Sequence, residues 1–149
     1  MRDKIKIGFP GENAWAEAKL LWDRAPNTSA AISSLAPYKG TAHHAIYSGS
    51  ECVLLLDRLL RVGPENATSE VKRGEMGFAW FSAGSYYGVE KDFSEIRWFY
   101  DIDAEPRMWK SPVPVTIFAM ITEPADAFYA VCRRMRREGI KPCLFELIE

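Results

Sequence analysis

Apolar and polar residues alternate along short segments of this chain, and clusters of Gly, Pro and Asn separate those segments. A period of two puts successive side chains on opposite faces of a strand, so each alternating run predicts a half-buried strand. Lys4 to Phe9 is the first such run, closed by the turn residues Pro10-Gly11-Glu12-Asn13, and Trp15 to Leu21 is the second. Pro26 pushes Ala25 into an extended conformation, and Asn27 or Thr28 can then cap a short helix with Ala31, Ile32 and Leu35 on its apolar side. Pro37 forbids its continuation, and Tyr38-Lys39-Gly40 reads as a turn. Ala42 to Tyr47 and Cys52 to Leu56 form a strand pair around Ser48-Gly49-Ser50; Met76 to Phe81, Glu95 to Tyr100, Val113 to Ile121 and Cys143 to Ile148 complete a set of eight. Asp57 to Val62 fits either a strand end or one helical turn, Gly84 to Gly88 reads as an aromatic-bearing loop, and Asp101 to Pro112 as an irregular surface segment.

A helical period stands out over Ala125 to Glu138, where Phe128, Val131, Cys132 and Met135 fall at i, i+3, i+4 and i+7 and Gly139 marks the stop. Arg133, Arg134, Arg136 and Arg137 take the other face, where cations complement the helix dipole. The simplest reading of that run is a solvated face; the alternative is an anion or partner site. Eight short strands with two helices predict a mainly β fold, a closed eight-stranded barrel capped by helices, because closure removes unpaired strand edges. An open α+β sandwich is the other layout. One domain is expected to take up residues 1–149, with an interior that side chains fill or that holds one small ligand.

Composition narrows the functions. With 19 Lys plus Arg against 20 Asp plus Glu, the net charge is −1, which removes the electrostatic attraction that most nucleic-acid and anionic-membrane binding relies on. No nucleic acid and no membrane is expected as a partner. The charged N-terminus lacks the apolar core of a secretory leader, and three widely spaced cysteines outside any Cys-x-x-Cys pattern read as reduced thiols, so a cytoplasmic location is expected.

The order of elements is similar to the cyclophilin barrel. Ala25-Pro26-Asn27-Thr28 resembles the start of the first cyclophilin helix, and Tyr38-Lys39-Gly40-Thr41-Ala42-His43-His44-Ala45-Ile46 resembles the strand that carries the catalytic arginine there. On that resemblance the arginine position falls on Ala45, with no Arg or Lys between Thr41 and Glu51 to replace it. The Phe-x-x-Gln partner motif is also missing. Loss of one preorganised donor costs about 2.7–4 kcal/mol of transition-state stabilisation, so no meaningful peptidyl-prolyl isomerase activity is expected. From Lys4 to Glu149 the chain also resembles the bacterial cyclophilin-like family known as domain-of-unknown-function family 3830. The stretches that carry this likeness are Gly40 to Gly49, Pro64-Glu65-Asn66-Ala67-Thr68, Val113 to Ala119 and Cys132 to Gly139. The resemblance implies the barrel and no particular activity.

His43 and His44 are the only histidines, and as neighbours on a strand they point to opposite faces. His44 sits where both resemblances meet and is the candidate general base or acid, with Glu65 or Glu51 to orient it; the alternative is a structural histidine. Thr41, Tyr47, Ser48, Glu51 and Asn66 are candidate ligand contacts around it. Trp98 and Tyr100 share one strand face and are expected to form an apolar wall with polar tips for a flat ligand. Two diverging histidines argue against a metal, and no cofactor is expected. The favoured function is the binding of a small organic molecule. The alternatives are a hydrolase or isomerase of a small amide-like metabolite, and a non-catalytic subunit or self-associating domain, homo-oligomers being common.

Overall fold

Buried residues recur at every second position of the first strands: Ile5, Ile7 and Phe9 on β1 (Lys4–Phe9), and Ala14, Ala16, Ala18 and Leu20 on β2 (Ala14–Leu20). The computed structural model describes residues 2–149 and continues through α1 (Pro26–Leu35), β3 (Tyr38–His44), β4 (Glu51–Leu55), β5 (Glu75–Phe81), β6 (Phe93–Phe99), β7 (Arg107–Met108), β8 (Ser111–Pro112), β9 (Thr116–Ile121), α2 (Asp126–Glu138) and β10 (Lys141–Ile148). Eight of the strands close an antiparallel barrel in the order β1-β10-β3-β4-β6-β5-β9-β2, and β7 and β8 form a separate hairpin. The closed layout is the one found, not the open sandwich. No helix among the described residues is long and apolar enough to cross a membrane.

Long-range pairing moves several boundaries. Tyr38-Lys39-Gly40 is strand rather than turn, because Tyr38, Lys39 and Gly40 pair with Phe145, Leu144 and Cys143 of β10. β3 ends at His44, so Ala45 to Tyr47 lies in the connection, and β9 begins at Thr116 rather than Val113. Residues 57–62 take neither strand nor helix, and the segment 101–112 contains the small β7–β8 hairpin.

The barrel interior is filled from both ends of the β1–β2 hairpin. At the Phe9 end, α2 inserts Phe128, whose ring stacks on Phe9 at 5.2 Å and lies 5.9 Å from Trp98. At the Leu20 end, α1 follows and adds Ile32 and Leu35 to the same core. A second apolar cluster lies outside the barrel, where Phe81, Phe99 and Ile117 are covered by Val89, Val113 and Val115. Gly77 permits that cover, since a Cβ there would meet Val115 Cγ2 at 2.7 Å. β6 is therefore buried on both faces. The three cysteines are free and buried.

Candidate functional site

Two residues bring polar chemistry to the barrel mouth beside α2. His44, the last residue of β3, is half-buried, and Tyr100, just beyond β6, is 1% exposed. His44 Nδ1 lies 2.8 Å from the Ala45 carbonyl oxygen, which only accepts, so Nδ1 carries the proton and donates. Nε2 of the neutral ring then accepts from the Tyr100 hydroxyl at 2.6 Å. The Tyr100 oxygen in turn accepts from Arg136 Nε at 3.3 Å. The result is a directed line of hydrogen bonds, Arg136 to Tyr100 to His44 to the Ala45 carbonyl. Burial pushes the His44 pKa below its ordinary value and Arg136 adds to this, against the opposing pull of the Ala45 carbonyl and Asp103. The ring is accordingly neutral at pH 7, as the acceptor role of Nε2 requires.

Open cavities flank Arg136 on both sides. One, of about 580 Å³, is bounded by Ser50, Tyr100, Ala130 and the α2 arginines. The other, of about 390 Å³, is bounded by His43, His44, Ala45, Ile46, Met135 and Arg136. A third cavity, of about 340 Å³ between Trp80, Phe78, Tyr86 and Pro64, shares no residue with these.

Of the residues singled out in the sequence, His44 and Tyr100 meet at this mouth and several others do not. Glu65 is a correction. Its amide donates to Thr116 Oγ1 on β9, four strands from β3 in either direction around the eight-stranded barrel, so it cannot orient His44. Instead its carboxylate caps α1 from a distance, accepting from Asn27 N at 3.0 Å, Thr28 N at 2.8 Å and Thr28 Oγ1 at 2.7 Å. The N-cap residue itself, Ala25, has no side chain to do this. Partial burial pushes the Glu65 pKa up, but the bonds from Thr28 and Asn27 outweigh it and hold the carboxyl below its ordinary value. Asn66 lies on the same side and donates to the Arg24 carbonyl at 3.0 Å.

Trp98 also departs from its expected role. It does share a face with Tyr100, but that face is the barrel interior, where Trp98 is fully buried and its indole N–H donates to Cys132 Sγ at 3.2 Å. Tyr100, itself nearly inaccessible, borders the cavity beside α2, and Trp98 does not. Thr41 and Tyr47 are exposed and take part in neither end of the hydrogen-bonded line.

Glu51 and Ser48 belong to a different arrangement, on the outer barrel face. Arg97 lies between two carboxylates, 2.7 Å from Glu95 Oε1 through Nε and 3.3 Å from both Glu51 oxygens through Nη1; all three residues are nearly inaccessible. Burial pushes the Glu51 carboxyl up to about 7, the Arg97 charge pulling the other way, and burial raises Glu95 as well. Arg97 Nη1 also reaches the Arg107 carbonyl, and Ser48 Oγ accepts from Arg107 N at 2.9 Å. Gly49, at φ +76°, completes this dock: a Cβ there would lie 2.3 Å from the Asp103 carbonyl oxygen. The trio thus fastens the 101–112 segment to the barrel, a role that the sequence pattern did not show. No group of three or more His, Cys, Asp or Glu among the described residues is arranged to hold a metal ion.

A family model described as protein of unknown function (DUF3830) matches residues 7–146. No curated protein matches the sequence. Among solved structures, the chain is similar to McbB in complex with tryptophan, with a TM-score of 0.65 at 15% identity, covering 95% of this chain. The match spans only 44% of McbB's own length. A hypothetical protein of Archaeoglobus fulgidus gives a TM-score of 0.61 at 17% identity, over 99% of this chain and 95% of that one. The mimivirus cyclophilin gives 0.59 at 12% identity, over 98% and 86%. At these identities the likeness establishes a cyclophilin-like fold.

Proposed function

The chain belongs to the DUF3830 family and has a cyclophilin-like barrel, and from that premise we propose that it binds a small organic molecule at the mouth beside α2, without peptidyl-prolyl isomerase activity. The observation that carries this reading is the line from Arg136 through Tyr100 to His44, which places three hydrogen-bonding groups between two open cavities. A small number of placed polar groups is what small-molecule sites use to fix orientation. The absence of isomerase activity is supported by the likeness of residues 38–46 to the cyclophilin strand, in which Ala45 takes the place of the arginine.

A thermal-shift screen against small metabolites tests the binding. Aromatic amino acids are natural first probes, since a neighbour in the fold is a tryptophan complex. Saturation at 100 times Kd adds about 2.7 kcal/mol of stability, which raises the midpoint of a chain this size by roughly 5–11 °C. Hits that vanish in Tyr100→Phe and His44→Ala support the site, and hits that survive both refute it. Turnover of a proline-containing peptide would refute the second half.

A second reading is catalytic. The neutral His44 accepts from the Tyr100 hydroxyl while Arg136 donates to the same oxygen, an arrangement that draws the phenolic proton toward the imidazole and suits general acid–base work on a small amide-like metabolite. That reading requires His44→Ala to lose at least about 10²-fold in rate.

A further inference from the structure

Three of the α2 arginines have no anionic partner. Arg134 is taken up by Glu12 and Glu138, but Arg133, Arg136 and Arg137 have no carboxylate within 4.0 Å among the described residues. Asp103 is near enough to perturb Arg136 without forming an ion pair. Arg136 engages Tyr100 only through Nε, which leaves its terminal nitrogens free. The helical spacing i, i+3, i+4 brings the three guanidinium groups within about 6 Å of helix axis. One turn before Arg133 the small side chain of Ala130 lines the same cavity of about 580 Å³, which Ser50 and Tyr100 complete. The helix dipole accounts for cations near this C-terminus, but its partial charge of about half a unit calls for fewer than four arginines in five positions.

We propose that this cavity receives a small polyanion, a phosphate ester or a di- or tricarboxylate, held by Arg133, Arg136 and Arg137. The proposal rests on the reading of the adjoining mouth as a ligand site and names the class of ligand. Guanidinium groups present planar forks that match carboxylate and phosphate oxygens, and a charged acceptor shared among several of them gives shorter, stronger hydrogen bonds than neutral partners do. A site of this span fits one small molecule, and the net charge of −1 supplies no surrounding field for a nucleic-acid backbone. The Tyr100 hydroxyl, itself bonded to Arg136, links the anionic end of such a ligand to His44.

Calorimetric titration with inorganic phosphate, phenyl phosphate, phthalate and citrate tests this on the intact protein. Saturable binding is expected, weakened by salt and reduced roughly tenfold to a hundredfold in the double variant Arg133→Gln, Arg137→Gln. Both residues are exposed, so the variant retains its fold, which an unchanged thermal midpoint without probe verifies. Arg58→Gln, at an exposed position outside the cavity, is the control and leaves binding unchanged. Preference for phenyl phosphate over phthalate identifies the ligand as a phosphate ester, and the reverse order as a carboxylate. Equal weakening by Arg58→Gln, or no saturable binding of any of the four probes, overturns the proposal. If neutral aromatic probes bind in a His44-dependent way while all four anions fail, the polyanion inference falls and the reading of the mouth stands.

Discussion

Replacing Glu51 with Gln tests the buried cluster on the outer face of the barrel. Glu51 holds its proton more tightly in the folded chain, at about 7, than in the unfolded chain, where the ordinary value is 4.5. Between these values the folded state keeps a proton that the unfolded state has lost, so stability falls as pH rises through the window. At about 1.4 kcal/mol per pH unit, the full displacement is worth about 3 kcal/mol, of which about 2 kcal/mol is lost between pH 5 and pH 7. For a chain of this length that is roughly 4–8 °C in Tm. Glutamine keeps the shape and cannot ionise, so its Tm between pH 5 and pH 7 is expected to fall less than the wild type's by that amount. His44 acts in the opposite sense: its lowered pKa makes stability fall as pH drops below 6.5. Because His44 is present in both proteins, it cancels when the two pH profiles are subtracted. The repulsion from Glu95 is already part of the raised Glu51 value and is removed with it in the variant. Scanning calorimetry of both proteins at several pH values is the assay. Parallel profiles would refute the account, showing that Arg97 keeps Glu51 ionised throughout the window.

Glu65→Ala removes the distant cap of α1 and is expected to cost about 1–2 kcal/mol at pH 7, a loss of a few degrees in Tm that shrinks as pH falls below the ordinary value of 4.5 and through the lower value of the folded chain, where the wild-type carboxyl takes up its own proton. Equal Tm values at pH 7 would show that the cap contributes nothing. Gly49→Ala meets both the positive φ and the Asp103 carbonyl; a destabilisation of about 1–3 kcal/mol is expected, with faster proteolysis within residues 101–112, and an unchanged cleavage pattern would contradict the docking role of Gly49.

Alternation and helical period made the barrel strands and α2 legible because these elements have one buried and one wetter face, as in the pattern of Ile5, Ile7 and Phe9 or of Phe128, Cys132 and Met135. Tyr38 to Gly40 was not legible, since only β10, a hundred residues away, makes that segment a strand. Alternation placed Trp98 and Tyr100 on one face correctly but cannot tell which face is inside when, as in β6, both are covered. Glu65 followed a loop signal, and nothing local reveals that its carboxylate accepts from Asn27, 38 residues earlier, to complete the start of a helix. At the mouth, His44 and Tyr100 were found by position and aromatic character. Arg136 was absorbed into a charge run, and only the contact with Tyr100 separates it from its neighbours.

The position of β10 has a consequence for how the chain folds. β10 lies between β1 and β3, pairing Lys4 with Ile148 and Lys141 with Ala42. Until its last strand has emerged during synthesis, the nascent barrel has two open backbone edges, on β1 and β3. Sheets with unpaired edges invite pairing with other chains, and contacts this distant in sequence form slowly. Closure of the barrel thus awaits residues 141–148, and the two edges stay exposed until β10 pairs with both.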